Sequence, residues 1–136
     1  MSSPDPAPDV TPMTILVVDD EQDMRTVARA FLERAGLQVL GEASDGAEAL
    51  SMWRELNPPP LPSVIILDNQ MPGTSGVEVA QQILSELPDQ IVVLFSAYLN
   101  ADLVARATRI GVAGCVPKQD LRQLPDIIKS IVDKRG

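Results

Sequence analysis

The chain has 136 residues, of which 45% are hydrophobic and 22% charged, so it has the size and balance of a single globular domain. Its 19 acidic residues outweigh 11 basic ones, and the net charge of −8 disfavours direct binding to nucleic acid or to an anionic membrane. The absence of histidine excludes a histidine base, metal ligand or phosphate carrier, and the single cysteine excludes an internal disulfide.

A cytoplasmic location is predicted from three features of the sequence. No apolar run approaches the length of a membrane-spanning helix. The first residues show no basic-then-apolar signal pattern, and a lone cysteine suits a reducing compartment. We therefore expect a cytoplasmic protein that does not associate with membranes.

The predicted elements begin after a short tail. The opening stretch, MSSPDPAPDVTP, is rich in Pro, Ser and Asp and cannot bury a core, so residues 1–13 are predicted to be a disordered Pro-rich tail. Residues 14–136 are predicted to form one domain.

Within that domain, short apolar runs alternate with segments of helical spacing. Strands are predicted at Thr14–Val18, Leu37–Ala43, Val64–Leu67, Ile91–Phe95 and Ala113–Val116. Helices are predicted at Asp23–Ala35, Asp45–Leu56, Val77–Leu87, Asn100–Ile110 and from near Pro125 to Val132. Strict alternation of five strands and five helices predicts an α/β fold, with a doubly wound parallel sheet covered by helices on both faces.

The residues directly after the predicted strands are polar, and in such a sheet they meet at the ligand-binding edge. Asp19-Asp20 follows the first strand, Asp68 the third, Ser96 ends the fourth and Lys118 follows the fifth. Each alone has an ordinary explanation, such as a helix cap or a surface charge. Together they predict a site, because clustered carboxylates need a cation, Mg²⁺ takes carboxylate and phosphate oxygens, and an ammonium suits a phosphoryl oxygen.

Five motifs in a fixed order identify a family resemblance: ILVVDDE, DGAEAL, VIILDNQMPGTSG, LFSA and GCVPK. In this combination the chain resembles the receiver domain of bacterial two-component response regulators, from about Thr14 to Val132. The resemblance implies a flavodoxin-like sheet of strand order 2-1-3-4-5 with five helices.

The resemblance also implies a Mg²⁺ site. Asp20 would bind the metal directly, and Asp19 directly or through a water. Asp68 and the backbone carbonyl of Gln70 would complete the protein's share of the ligands.

A Mg²⁺-dependent phosphoryl transfer follows from the same resemblance. Asp68 would accept the phosphoryl group from a partner histidine kinase, Lys118 would pair with Asp68 and then with the phosphate, and Ser96 would turn toward the phosphoryl group. The domain would catalyse its own phosphorylation and slow dephosphorylation only. Its conformation would then switch, signalling through the fourth helix, fifth strand and fifth helix, and it could form a homodimer.

The region around the fifth strand departs from the family pattern at two positions. Where the family usually has an aromatic residue that swings inward, this chain has Cys115, which we expect to be a small buried hydrophobe. Our hypothesis is that Tyr98, two residues after Ser96, takes part of this switching role or screens the phosphoryl group from water. Where many members have a cis-bonded proline after the lysine, this chain has Gln119.

Particular residues keep some alternative functions open and disfavour others. The ending GCVPKQDL with LPDII resembles receivers that precede a helix-turn-helix domain, so both a stand-alone receiver and the receiver part of a DNA-binding transcriptional regulator stay open, with the output partner unknown. A haloacid-dehalogenase-type phosphatase would need a second Asp where Gln70 stands. A dinucleotide-binding domain would need a Gly-rich turn after the first strand. An unphosphorylated receiver-like interaction module usually lacks one of the acids or the lysine, which this chain keeps.

Overall fold

The structure, a computed structural model, describes residues 13–56 and 62–135. Five strands occur in this part of the chain: β1 (Thr14–Val18), β2 (Gln38–Ala43), β3 (Val64–Leu67), β4 (Ile91–Ser96) and β5 (Gly114–Pro117). Five α-helices alternate with them: α1 (Gln22–Arg34), α2 (Gly46–Glu55), α3 (Gly76–Glu86), α4 (Ala101–Ile110) and α5 (Leu124–Arg135). A 3₁₀ helix, Lys118–Gln123, lies between β5 and α5.

The strands form one sheet in the order β2-β1-β3-β4-β5, and every neighbouring pair is parallel. This confirms the predicted α/β class, the doubly wound sheet and the strand order. Because all strands run the same way, the loops that follow them emerge at one edge of the sheet.

Two hydrophobic cores cover the two faces of the sheet. The larger core lies under α2, α3 and α4 and includes Trp53, Ile83 and Leu103. The smaller core lies under α1 and α5 and includes Leu32 and Ile128. Successive residues of β3 point alternately into the smaller and the larger core, and all four are buried, which explains why a central strand reads as a continuous apolar run.

The bounds of α1–α4 differ from the predicted ones by at most one residue, mainly because a capping residue was counted as helix, whereas α5 continues three residues past the predicted end at Val132. Asp45 caps α2 by accepting a hydrogen bond from the Glu48 backbone N–H, and Asn100 caps α4 in the same way from Leu103. On α1, Ala28 and Leu32 are buried, whereas 41% of Val27 is exposed.

The predicted N-terminal tail and the segment after β5 can also be compared with the structure. Residues 1–12 of the predicted tail lie outside the described residues, while the backbone carbonyl of Met13 accepts a hydrogen bond from the Gln38 N–H. The 3₁₀ helix after β5 was not predicted, and it ends where Leu124 begins α5. Among the described helices, none combines the length and apolar character needed to cross a membrane.

Candidate functional site

Asp19 is held rigidly at the end of β1. Its backbone N–H extends the sheet by donating to the Ala43 carbonyl at 3.0 Å. Its side chain is buried, and Oδ1 accepts a hydrogen bond from the Glu21 N–H at 2.9 Å. The remaining carboxylate oxygen, Oδ2, is buried and has no aligned hydrogen-bond donor among the described residues. A charged oxygen in this position needs a cation nearby.

Asp68 occupies the matching position at the end of β3, where 4% of it is exposed. Its backbone N–H donates to the Val18 carbonyl of β1 at 2.9 Å, which places the two acidic strand ends side by side. Its Oδ1 accepts a long hydrogen bond of 3.4 Å from the Gln70 N–H. Asp68 therefore follows an apolar strand directly and stays close to the sheet edge.

The loop after Asp68 is held by contacts with the start of α3. Asn69 accepts two hydrogen bonds, from the Gly76 N–H to its carbonyl at 3.0 Å and from the Val77 N–H to its side chain at 3.1 Å. Gly76 packs so closely against the Asp68 backbone that a Cβ there would overlap the Asp68 carbonyl oxygen. Asn69 and Gly76 were not among the predicted site residues, although both belong to the VIILDNQMPGTSG motif.

Lys118 joins the two acidic strand ends. Its ammonium lies 2.8 Å from Asp19 Oδ2 as a charge contact without hydrogen-bond alignment, and 3.2 Å from Asp68 Oδ2 in hydrogen-bond geometry. A longer contact of 3.5 Å reaches Glu21. Only 9% of the Lys118 side chain is exposed, so its charge acts on the carboxylates with little screening by solvent.

Burial and neighbouring charge perturb the acid–base behaviour of this group. Burial, with the Asp19 charge added, raises the pKa of Asp68 to about 6, against the opposing effect of Lys118. Burial would lower the pKa of Lys118, but its contacts with Asp19 and Asp68 outweigh this, so the pKa is raised and the ammonium stays charged.

Three consecutive acids form a cluster that could bind a metal ion. Asp19, Asp20 and Glu21 each place a carboxylate oxygen within 4.8 Å of the others, with Asp19 buried and the other two exposed. Because the Lys118 ammonium already lies 2.8 Å from the buried Asp19 oxygen, the fit to a metal rests on the three neighbouring carboxylates, which are the ligands that hard cations prefer. Glu21 was not among the predicted ligands, although the run of three acids in the sequence was its signal.

An open pocket of about 320 Å³ gives access to the site. The residues that line it include most of the predicted site and are Asp20, Glu21, Asp68, Gln70, Ala97, Tyr98 and Lys118. Asp68 is therefore buried yet reachable from one side, as a nucleophile must be for a donor held on another molecule.

Ser96 and Tyr98 lie at the end of β4. Ser96 is fully buried, and its hydroxyl accepts a hydrogen bond from the Tyr98 N–H at 3.2 Å. Within the described residues this hydroxyl makes no hydrogen bond to Asp68 or Lys118. The Tyr98 side chain is 67% exposed at the pocket rim.

Cys115 lies in β5, opposite Leu94 of β4, and packs against the larger core. It is half-buried, and this burial raises the pKa of its thiol. The residue that stands at the usual aromatic position is therefore a small neutral side chain at the edge of the core.

The structure thus combines a doubly wound parallel sheet with carboxylates and a lysine at its carboxyl edge. The model of the response regulator receiver domain matches residues 15–129, and the chain belongs to this family. The resemblance drawn from the five motifs is thereby confirmed.

Curated relatives extend beyond the matched region. The transcriptional regulatory protein NarL of Mycobacterium tuberculosis is 38% identical over 135 residues, which is 98% of this chain and 57% of that protein. A protein-glutamate methylesterase/protein-glutamine glutaminase of Hahella chejuensis is 34% identical over 122 residues, 88% of this chain and 34% of that protein. The chain thus spans between about a third and three fifths of the length of these relatives.

Solved structures agree on the fold. The signal receiver domain of NarL from Mycobacterium tuberculosis is 34% identical, with a TM-score of 0.77 over 91% of this chain and 96% of that one. A LuxR-family two-component response regulator from Aurantimonas is 28% identical, with a TM-score of 0.84 over 92% of this chain and 88% of that one.

Proposed function

We propose that Asp68 accepts a phosphoryl group from the phosphohistidine of a sensor histidine kinase. A carboxylate oxygen of Asp68 forms a bond to phosphorus while the P–N bond of the donor breaks, and the imidazole nitrogen leaves with the electron pair. One observation carries this proposal: Asp68 is buried and paired with Lys118, yet it lines an open pocket.

We propose Mg²⁺ as the metal of the acidic cluster. Asp19 and Asp20 would hold it with Asp68 and the backbone carbonyl of Gln70, and Glu21 belongs to the same acidic cluster. Bound Mg²⁺ supplies charge neutralisation and a template for in-line displacement on the phosphoryl oxygens. The three carboxylates whose oxygens lie within 4.8 Å of one another support a cation here.

Lys118 and Ser96 would respond to the new phosphoryl group. Lys118 already contacts Asp68, so its ammonium would move only a short distance to a phosphoryl oxygen carrying close to two negative charges. Ser96 would exchange its hydrogen bond with Tyr98 for one to the same group. This exchange at the end of β4 is the proposed first step of the conformational signal, with Tyr98 and Cys115 as candidate switch residues.

The experiment is incubation with Mg²⁺ and acetyl phosphate, followed by intact-mass spectrometry. We expect a phosphate-sized mass gain that Asp68→Asn abolishes. Asp89→Asn is the matched control, because Asp89 is exposed and lies in the loop before β4, at the opposite edge of the sheet.

Three results would count against the proposal. No mass gain together with no Mg²⁺ binding would indicate an unphosphorylated interaction module. A phosphate-sized mass gain that persists in Asp68→Asn would show that another residue accepts the phosphoryl group. Rapid multiple turnover of acetyl phosphate would favour a phosphatase.

We also propose that this receiver serves a larger DNA-binding transcriptional regulator. The supporting observation is its coverage of 57% of NarL and 41% of LiaR, both named as transcriptional regulatory proteins. DNA binding would belong to the effector domain, because this chain carries a net charge of −8. Immunoblotting of the cytoplasmic fraction should detect a product longer than this chain. Sedimentation with and without acetyl phosphate would separately test whether the chain forms a homodimer.

A further inference from the structure

Arg25, in the first turn of α1, contacts the backbone of the acidic strand end. Its Nη1 donates to the Asp19 carbonyl oxygen at 2.6 Å, and 15% of the Arg25 side chain is exposed. This arginine lies outside the predicted strands and outside the five sequence motifs. The contact is close, charge-assisted and largely shielded from solvent.

The guanidinium is itself held from the neighbouring strand. Its Nε lies 3.3 Å from Oε1 of Glu42 in β2, and Oε2 of Glu42 lies 2.8 Å from Nη1 of Arg29. A planar guanidinium that makes two directed contacts has little freedom to rotate. Arg25 therefore links β2 to the end of β1.

This link determines the orientation of the peptide between Asp19 and Asp20. The Asp19 carbonyl and the Asp20 N–H belong to one planar unit, so holding the carbonyl holds the direction in which Asp20 leaves the strand. The Asp19 N–H and Oδ1 already have fixed partners. Asp20 is exposed, so its placement depends on its backbone rather than on side-chain packing.

We infer that Arg25 is a positioning residue for the metal site, acting through the Asp19 carbonyl to present Asp20 to the cation. This inference rests on the proposed function. Charge alone predicts the reverse effect, because a guanidinium near a cation site repels the cation. The two explanations therefore predict opposite changes in metal affinity.

The test is calorimetric titration of the whole chain with Mg²⁺ alone. For Arg25→Gln we expect the Mg²⁺ dissociation constant to rise about tenfold, the lower end of the effect of residues that orient metal ligands. Arg29→Gln is the matched control, since Arg29 contacts the same Glu42 carboxylate but not Asp19, and we expect a change within twofold. At saturating Mg²⁺ the phosphorylation rate of Arg25→Gln should return close to that of the unaltered chain.

The outcomes separate cleanly. Unchanged or tighter Mg²⁺ binding by Arg25→Gln overturns the inference, as does equal weakening by Arg29→Gln. Arg25→Lys keeps the positive charge but loses the planar guanidinium with its directed N–H donors. Mg²⁺ affinity equal to that of the unaltered chain in Arg25→Lys therefore also overturns the inference.

If Arg25→Gln does not fold, Glu42→Gln should weaken Mg²⁺ binding in the same direction, and no change in that variant overturns the inference. If the unaltered chain binds no Mg²⁺, the proposed function itself fails.

Discussion

Gly76, the first residue of α3, lies directly against the carbonyl oxygen of Asp68, and no Cβ fits between them. The proposed nucleophile is thus held from two sides, by the β1 ladder through its N–H and by the start of α3 against its carbonyl. A side chain at Gly76 would have to push α3 and the end of β3 apart, since the Asn69 Cα also lies only 2.9 Å from the Cβ position.

Gly76→Ala should therefore destabilise the domain by about 1–3 kcal/mol, the usual cost of overpacking, and slow phosphorylation of Asp68. Urea denaturation and mass spectrometry with acetyl phosphate measure the two effects. Gly36→Ala is the control, because Gly36 has a φ of +89° but nothing within 4 Å of its Cβ position. It should lose stability through backbone strain while its phosphorylation rate stays unchanged; equal slowing in both variants would contradict the geometric explanation.

Asp68→Asn should stabilise the metal-free domain at neutral pH. Burial and the Asp19 charge raise the pKa of Asp68 to about 6, which means that folding disfavours the ionised carboxylate. The free energy of unfolding should rise by an amount on the order of 2 kcal/mol in the neutral amide variant.

The pH dependence of this effect has a definite sign. The folded-state pKa lies above the unfolded value, so the Asp68 contribution to stability is greatest below the unfolded value and is lost as the pH rises through about 6. Denaturation curves are measured in the presence of chelator from about pH 4 to about pH 7. The increase in the free energy of unfolding caused by Asp68→Asn should become smaller as the pH falls. A gain that is constant with pH would show that desolvation of the charge is not its cause.

The capping box of α3 should show the opposite dependence on pH. The Ser75 hydroxyl accepts from the Glu78 N–H at 3.2 Å, and Glu78 accepts from the Ser75 N–H at 3.0 Å. The hydrogen bond from the Ser75 backbone lowers the pKa of Glu78, so its contribution is present above the unfolded pKa and is lost as pH falls through the lower folded pKa.

Glu78→Gln should accordingly reduce stability at neutral pH, and the difference from the unaltered chain should disappear in acid. Thermal unfolding monitored by circular dichroism across the acidic range measures this. Glu55→Gln on α2 is the control, an exposed acid with no hydrogen bond or ion pair within the described residues, and it should change little. A loss in Glu78→Gln that persists at low pH would assign the effect to packing.

Tyr98→Ala should shorten the lifetime of the aspartyl phosphate several-fold. The Tyr98 ring is 67% exposed at the rim of the pocket that contains Asp68, where it can restrict the approach of water. The lifetime is measured by mass spectrometry after removal of acetyl phosphate. Tyr98→Phe keeps the ring and should retain the lifetime, and an unchanged lifetime in Tyr98→Ala removes the screening hypothesis.

The sequence predicted the fold well where burial imposes a pattern. Strands β1 and β3 span the predicted residues because β-branched and apolar runs bounded by polar residues leave little choice of bounds. The buried face of α1 was not predictable in the same way, because several apolar residues of this helix share helical spacing and only packing against the sheet selects the buried ones. The 3₁₀ helix at Lys118–Gln123 has no periodic apolar signal, so its conformation depends on its neighbours.

By itself, the sequence determined the alternation of elements, the run of acids after β1 and the single acid after β3, since all of these are local patterns. Only the tertiary structure decided that Lys118 also contacts Asp19, that Glu21 joins the acidic cluster, and that Gly76 packs against Asp68. Such contacts depend on strand register and on the space between packed elements. The raised pKa of Asp68 follows from the same cause, because burial and the distance to other charges exist only once the chain has folded.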